Sequence, residues 1–147
     1  MEKQNIARLI RASLLAGAAV MALATLLLRL LPTGPDVSTA EGRRRFLSEL
    51  GWEIEPGSEQ RKNVLIPDCS SGVMAEYNAL QRSQGCDLSP WEGRSVTQYS
   101  YAVTNYPGYD GTVYAVLYVA GRRVIAGDVH SAALNGFMHA LTRGGSL

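Results

Sequence analysis

The sequence predicts an α+β domain, an antiparallel sheet with helices packed on one face, carried behind an N-terminal transmembrane helix. Three observations lead there. An uncharged apolar run lies close to the N-terminus. Three β-rich segments between Val96 and Val129 follow one another with only short turns between them. Segments of helical spacing flank the β segments, giving the order α-β-β-α-β-β-β-α. With 147 residues, the chain has room for one such domain and an appendage.

The apolar run comes first. Ala12 to Leu28, which includes Leu14, Leu15, Val20, Leu26 and Leu27, contains no charged residue. As a helix it spans roughly 25 Å. Arg29 can snorkel, so Leu30 and Leu31 extend the apolar surface toward the roughly 30 Å of a bilayer core. Lys3, Arg8 and Arg11 precede the run, which predicts a cytoplasmic N-terminus and an extracytoplasmic C-terminal domain. The alternative is a signal peptide cleaved near Ala22-Leu23-Ala24, giving a secreted chain. The anchor is preferred because Thr25 to Leu31 stays apolar beyond that point. A buried core helix fits less well, since nearly every face of the segment is apolar. The chain thus divides into a flank and anchor (1–31), a Pro- and Gly-containing linker (32–37), a domain (38–143) and a tail (144–147).

Within the domain, Ser38 and Glu41 fit a capping box ahead of Phe46, Leu47 and Leu50, and Gly51 stops that helix. Trp52 to Glu55 and Gln60 to Ile66 read as two strands around the Pro56-Gly57-Ser58 turn, a possible hairpin. Ser70 or Ser71 starts a second helix to about Ser83, with Val73, Met74, Tyr77 and Leu80 as its apolar stripe and Gly85 ending it. Ser89-Pro90 begins a further helical turn carrying Trp91. Val96 to Tyr106, Thr112 to Val119 and Val124 to Val129 are strands, the middle one uncharged and so expected at the sheet's centre. Ser131 caps a final helix to about Leu141.

From Arg45 to His139 the stretches FLSELGWEI, EYNALQRSQGCDLSPWEG, YAVTNYP and VIAGDVHSAALNGFMH resemble a bacterial family catalogued as domain of unknown function 4830. The resemblance implies a membrane-anchored extracytoplasmic protein and offers no catalytic residues to carry over.

Charge excludes one class of partner. The first 31 residues carry a net +3, while Pro32 to Leu147 holds 10 basic against 12 acidic residues, a net −2. Such a domain lacks the positive field that nucleic-acid binding requires. No metal or cofactor is expected. His130 and His139 fall on opposite faces of the predicted final helix and cannot share an ion. No G-x-S-x-G is present, and Asp128, His130 and Ser131 stand too close in sequence for a relay, so no catalytic residue is assigned. Cys69 and Cys86 lie at opposite ends of the second helix, about 20 Å apart against the 7 Å or less that a disulfide needs.

Two candidate sites are left. Tyr99 and Tyr101 share one face by period two, as do Tyr114 and Tyr118, and together these four form a candidate platform for a protein, peptide or glycan. Asp128 and His130 form a candidate polar site. Arg43-Arg44-Arg45 reads as a solvated helix face near the anchor. The expected function is a membrane-anchored binding or accessory module of the bacterial cell envelope, with a hydrolase-type envelope enzyme using Asp128 and His130 as the alternative. A pocket holding both of those side chains beside backbone donors would favour the enzyme, whereas an exposed aromatic sheet face would favour binding.

Overall fold

The computed structural model describes residues 35–143 and 147. The apolar run, its basic flank and residues 144–146 lie outside them, and with them the predicted anchor. Among the described residues, no helix is long and apolar enough to cross a membrane. The elements are α1 (Ala40–Glu49), β1 (Gln60–Leu65), α2 (Gly72–Ser83), a 3-10 turn (Ser89–Trp91), β2 (Ser95–Val103), β3 (Val113–Ala120), β4 (Arg123–Ser131) and β5 (Met138–Ala140). The five strands form one antiparallel sheet in chain order, and β3 is its central strand as expected.

Alternation along β3 sorts the core into two layers. Val113, Ala115, Leu117 and Val119 face Tyr99, Tyr101 and Val129 across the ladder, and Leu47, Trp52 and Leu141 pack over them. Tyr118 belongs to the other face, with Val96, Ile125, Ala126, Ile66 and Leu88, covered by Met74 and Tyr77 of α2. The two helices therefore lie on opposite faces, not on one. A sheet whose central strand is apolar on both sides needs cover on both sides. A bulge at Tyr118/Val119 skips Ile125 in the β3–β4 register, and this sets Ile125 and Ala126 together under α2. Residues 35–147 form a compact unit that contains both layers in full, and Val37, expected in the linker, is a core residue.

Four local expectations change. The predicted final helix is a tight turn followed by β5. Asp128 and Ser131 are both residues of β4, and Ser131 caps no helix. Ser131 makes two hydrogen bonds with this segment, its amide donating to the Phe137 carbonyl and its side-chain hydroxyl accepting from the Phe137 amide. Trp52 to Glu55 forms a single bridge, Ile54 to Val103, against the end of β2; β1 pairs with β2 and makes no hairpin with it. The cap of α1 is Thr39, whose hydroxyl accepts from the Gly42 amide, while Ser38 bonds back to Asp36. Arg43, read as part of a solvated run, is buried, whereas Arg44 and Arg45 are exposed and pair with Glu41 and Glu49.

Candidate functional site

Side chains on the α2 face of the sheet follow from the register. Tyr114 stands opposite His130 and Val116 opposite Asp128, with Gln98 opposite Tyr118 and Lys62 opposite Gln98. The stripe Val73, Glu76, Tyr77 and Leu80 of α2 runs above this floor. Between stripe and floor lies a cleft of about 530 Å³, whose far wall is Leu65, Ile66 and Pro67 and whose rim at the β5 edge is Met138. That size falls in the range of small-molecule sites. Its walls are mainly apolar. Among the described residues, five large hydrophobic side chains are exposed, and three of them, Leu65, Val73 and Met138, line this one cleft. Val73, expected to pack in the helix stripe, is 80% exposed at its lip.

The sequence paired Asp128 with His130 only as near neighbours in the chain. Two residues apart on β4, they share a face, and the structure joins them: His130 Nδ1 lies 2.7 Å from Asp128 Oδ1. The Tyr77 hydroxyl donates to the other carboxylate oxygen at 2.6 Å. Asp128 is only 2% exposed, so these two partners supply the hydrogen bonds its buried oxygens need. The hydrogen bond from Asp128 raises the pKa of His130 above its ordinary value, against the opposing pull of burial. Burial, reinforced by the Asp128 charge, pushes the Tyr77 hydroxyl far up and keeps it a donor. Burial also raises Tyr118, whose ring meets that of Tyr77 edge-on at 6.2 Å and whose hydroxyl accepts from Gln98 Nε2. Among the described residues, His130 makes its hydrogen bond through Nδ1, which leaves Nε2 as the nitrogen available in the cleft.

The tyrosines divide differently from a platform. Tyr99 and Tyr101 are core residues of the α1 face. The Arg43 guanidinium lies 3.6 Å from the Tyr99 ring centroid and donates to the Tyr101 hydroxyl at 2.8 Å. Tyr114 and Tyr118 share the opposite face, half-buried, with Tyr114 tilted against His130 at 5.9 Å. His139 sits on β5 opposite Val129, on the α1 face with Trp52, Tyr106 and Phe137, so the sheet separates it from His130. Among the described residues, no group of three metal-ligating side chains converges. Cys69 and Cys86 are both free.

Sequence reading missed Tyr77 and Gln98 as site residues. Tyr77 carried a signal, because a hydroxyl on an apolar stripe needs a polar partner across the interface. A second contact left no signal: Gln81 of α2 and Gln84, which caps its C-terminus, fill the edge of β4 where β5 ends. Gln81 Oε1 accepts from the Gly127 amide, and Gln84 Nε2 donates to the Gly127 carbonyl. Gln84 Oε1 accepts from the Leu141 amide. These bonds fix α2, and with it the roof of the cleft.

No curated protein and no solved structure matches the chain. A family model does match, over residues 46–129, from α1 into β4; the chain belongs to the family described as domain of unknown function DUF4830.

Proposed function

We propose that this protein is a membrane-tethered binding module of the bacterial cell envelope. Its domain stands outside the cytoplasm and takes a small, mainly apolar ligand between α2 and the sheet. One observation carries the binding part: exposed apolar side chains concentrate at the mouth of one cleft where Tyr77 of the roof and His130 of the floor meet on the buried Asp128. Isolated exposed hydrophobics are ordinary; an apolar cleft with a few convergent polar groups is the usual form of a ligand site. The basic flank and uncharged run motivate the tether.

A second reading rests on the same dyad. A carboxylate holding Nδ1 leaves Nε2 as a general base, the arrangement by which an envelope hydrolase would activate water. Binding is the better-supported reading because the lining is mainly apolar and its rim exposes Leu65, Val73 and Met138.

The test uses the full chain in lipid nanodiscs and a solvatochromic apolar dye, with empty nanodiscs as the blank. Saturable one-to-one binding is expected in wild type and is lost in the double variant Val73→Asp, Met138→Asp, whose positions are exposed and outside the core. Dye binding that is absent, or that is unchanged in the double variant, would overturn the cleft. For the tether, a reporter active only outside the cytoplasm, fused after Leu147, should be active; cytoplasmic activity would reverse the orientation.

A further inference from the structure

Four ionisable side chains besides the tyrosines line the cleft, and they balance. Asp128 is matched by His130, with both carboxylate oxygens already engaged. Lys62 on the floor and Glu76 on the roof are one of each sign. Neither Lys62 nor Glu76 forms an ion pair among the described residues. Lys62 is also remote from the dyad: three inter-strand spacings and four residues separate it from His130 along the ladder, roughly 20 Å by ordinary strand spacing. The two tyrosine hydroxyls stay protonated.

Glu76, beside Tyr77 on the roof, is exposed to water, which screens its charge; a charged headgroup placed against His130 would therefore meet no spare opposite charge on the buried floor. An anion would add a second negative charge beside Asp128, and a cation would compete with the proton already shared by the dyad. Either leaves an uncompensated charge among apolar walls, which is costly. A hydroxyl avoids this, because it donates to a neutral Nε2 and accepts from a protonated one. Resting on the reading of the cleft as a ligand site, we propose that it selects an uncharged amphiphile: an apolar chain lying along Val73, Leu80 and Leu65, with a hydroxyl hydrogen-bonded to His130.

The experiment compares four probes with the same six-carbon tail: hexan-1-ol, hexyl methyl ether, heptanoate and hexylammonium. The full chain in nanodiscs carries 13C-methyl methionine, so Met74 and Met138 report from the cleft wall and rim. With the dyad protonated, hexan-1-ol should shift both methyl signals saturably, with a Kd at least about tenfold below that of either charged probe; at higher pH, with Nε2 unprotonated and the ether unable to donate to it, the alcohol should also bind more tightly than the ether. Tenfold corresponds to about 1.4 kcal/mol. At that higher pH the alcohol should lose about tenfold in His130→Ala while the ether is unchanged; His130→Val, which also removes the hydrogen-bonding nitrogen, replaces it if the alanine variant does not fold. A charged probe binding as tightly as the alcohol would overturn the charge-balance argument and leave the cleft standing. An ether equal to the alcohol at the higher pH, or an alcohol indifferent to His130 there, would overturn the hydroxyl contact. If no probe moves either methionine, the ligand cleft itself falls.

Discussion

Arg43→Leu should strongly destabilise the domain. The guanidinium holds Glu59 through two contacts, at 2.9 and 3.0 Å, and donates to the Val37 and Ser38 carbonyls at 3.0 Å and to the Tyr101 hydroxyl at 2.8 Å. The Tyr101 hydroxyl in turn bonds to Glu59. Leucine keeps part of the stem and removes every donor. Breaking a buried ion pair from one side costs about 3–5 kcal/mol. The Glu59 side chain is 31% exposed, and water reaching it puts its share at the low end. The Val37 carbonyl, under a residue only 2% exposed, adds about 1–3 kcal/mol if left unpaired. The two costs overlap because they share one side chain, so about 3–4 kcal/mol is expected, a large part of a typical domain's 5–15 kcal/mol. Urea melts of the chain from Asp36 onward, followed by the fluorescence of buried Trp52, would measure it. Arg45→Leu, which breaks an exposed pair with Glu49, is the control and should cost about 0.5 kcal/mol or less. Acid gives an internal check. Burial pushes the Glu59 carboxyl up, but the Tyr101 hydroxyl and Arg43 more than offset this and leave it below its ordinary value. Its contribution is thus present above the unfolded carboxylate pKa of about 4.3 and is lost as pH falls through the lower folded value. The gap between wild type and variant should narrow in that acid range. A loss under about 1 kcal/mol at neutral pH, or a gap that widens in acid, would refute this account of the cluster.

Two further outcomes follow from the sheet. Leu117→Ala removes a fully buried side chain of the central strand and should cost about 2–5 kcal/mol, whereas Arg122→Ala, in the exposed turn, should leave the urea midpoint near wild type; equal midpoints would remove β3 from the core. His130 has a raised folded pKa, so its contribution to stability is complete below the unfolded value near 6.5 and is lost as pH rises through the folded one. Denaturation from pH 6 upward should show that decline in wild type and a flatter profile in His130→Asn, and identical slopes would remove the Asp128–His130 link.

Much of the domain was legible in the residues themselves. The strands between Val96 and Val129 lie within a residue or two at their starts, because apolar alternation and the intervening Gly turns are local signals. Gly51 and Gly85 end their helices with φ of 84° and 87°, a backbone conformation that favours glycine. The sequence reading named Asp128 and His130 together but ended the strand at Val129 and put His130 on a helix; the extension of β4 to Ser131 sets them on one face. Hidden were the partners that arrive from elsewhere in the chain: Tyr77 from α2, Gln98 from β2, and the Gln81 and Gln84 amides that fill the edge of β4.

The segment after Ser131 shows why. Alanines and leucine there favour helix, but such preferences amount to tenths of a kcal/mol per residue and cannot hold a short helix alone. As a strand, the same residues pair β5 with β4, bury Leu141 completely and stack Phe137 on Tyr106 at 4.7 Å. Burying one such side chain is worth about 1.5–3 kcal/mol, so packing outweighs propensity. The sides taken by the helices and the burial of Arg43 were settled in the same way. The chain by itself determined where strands and turns form, because those choices are local. Which face each helix covers, and which polar groups meet in the cleft, depended on desolvated contacts that exist only once the sheet has assembled.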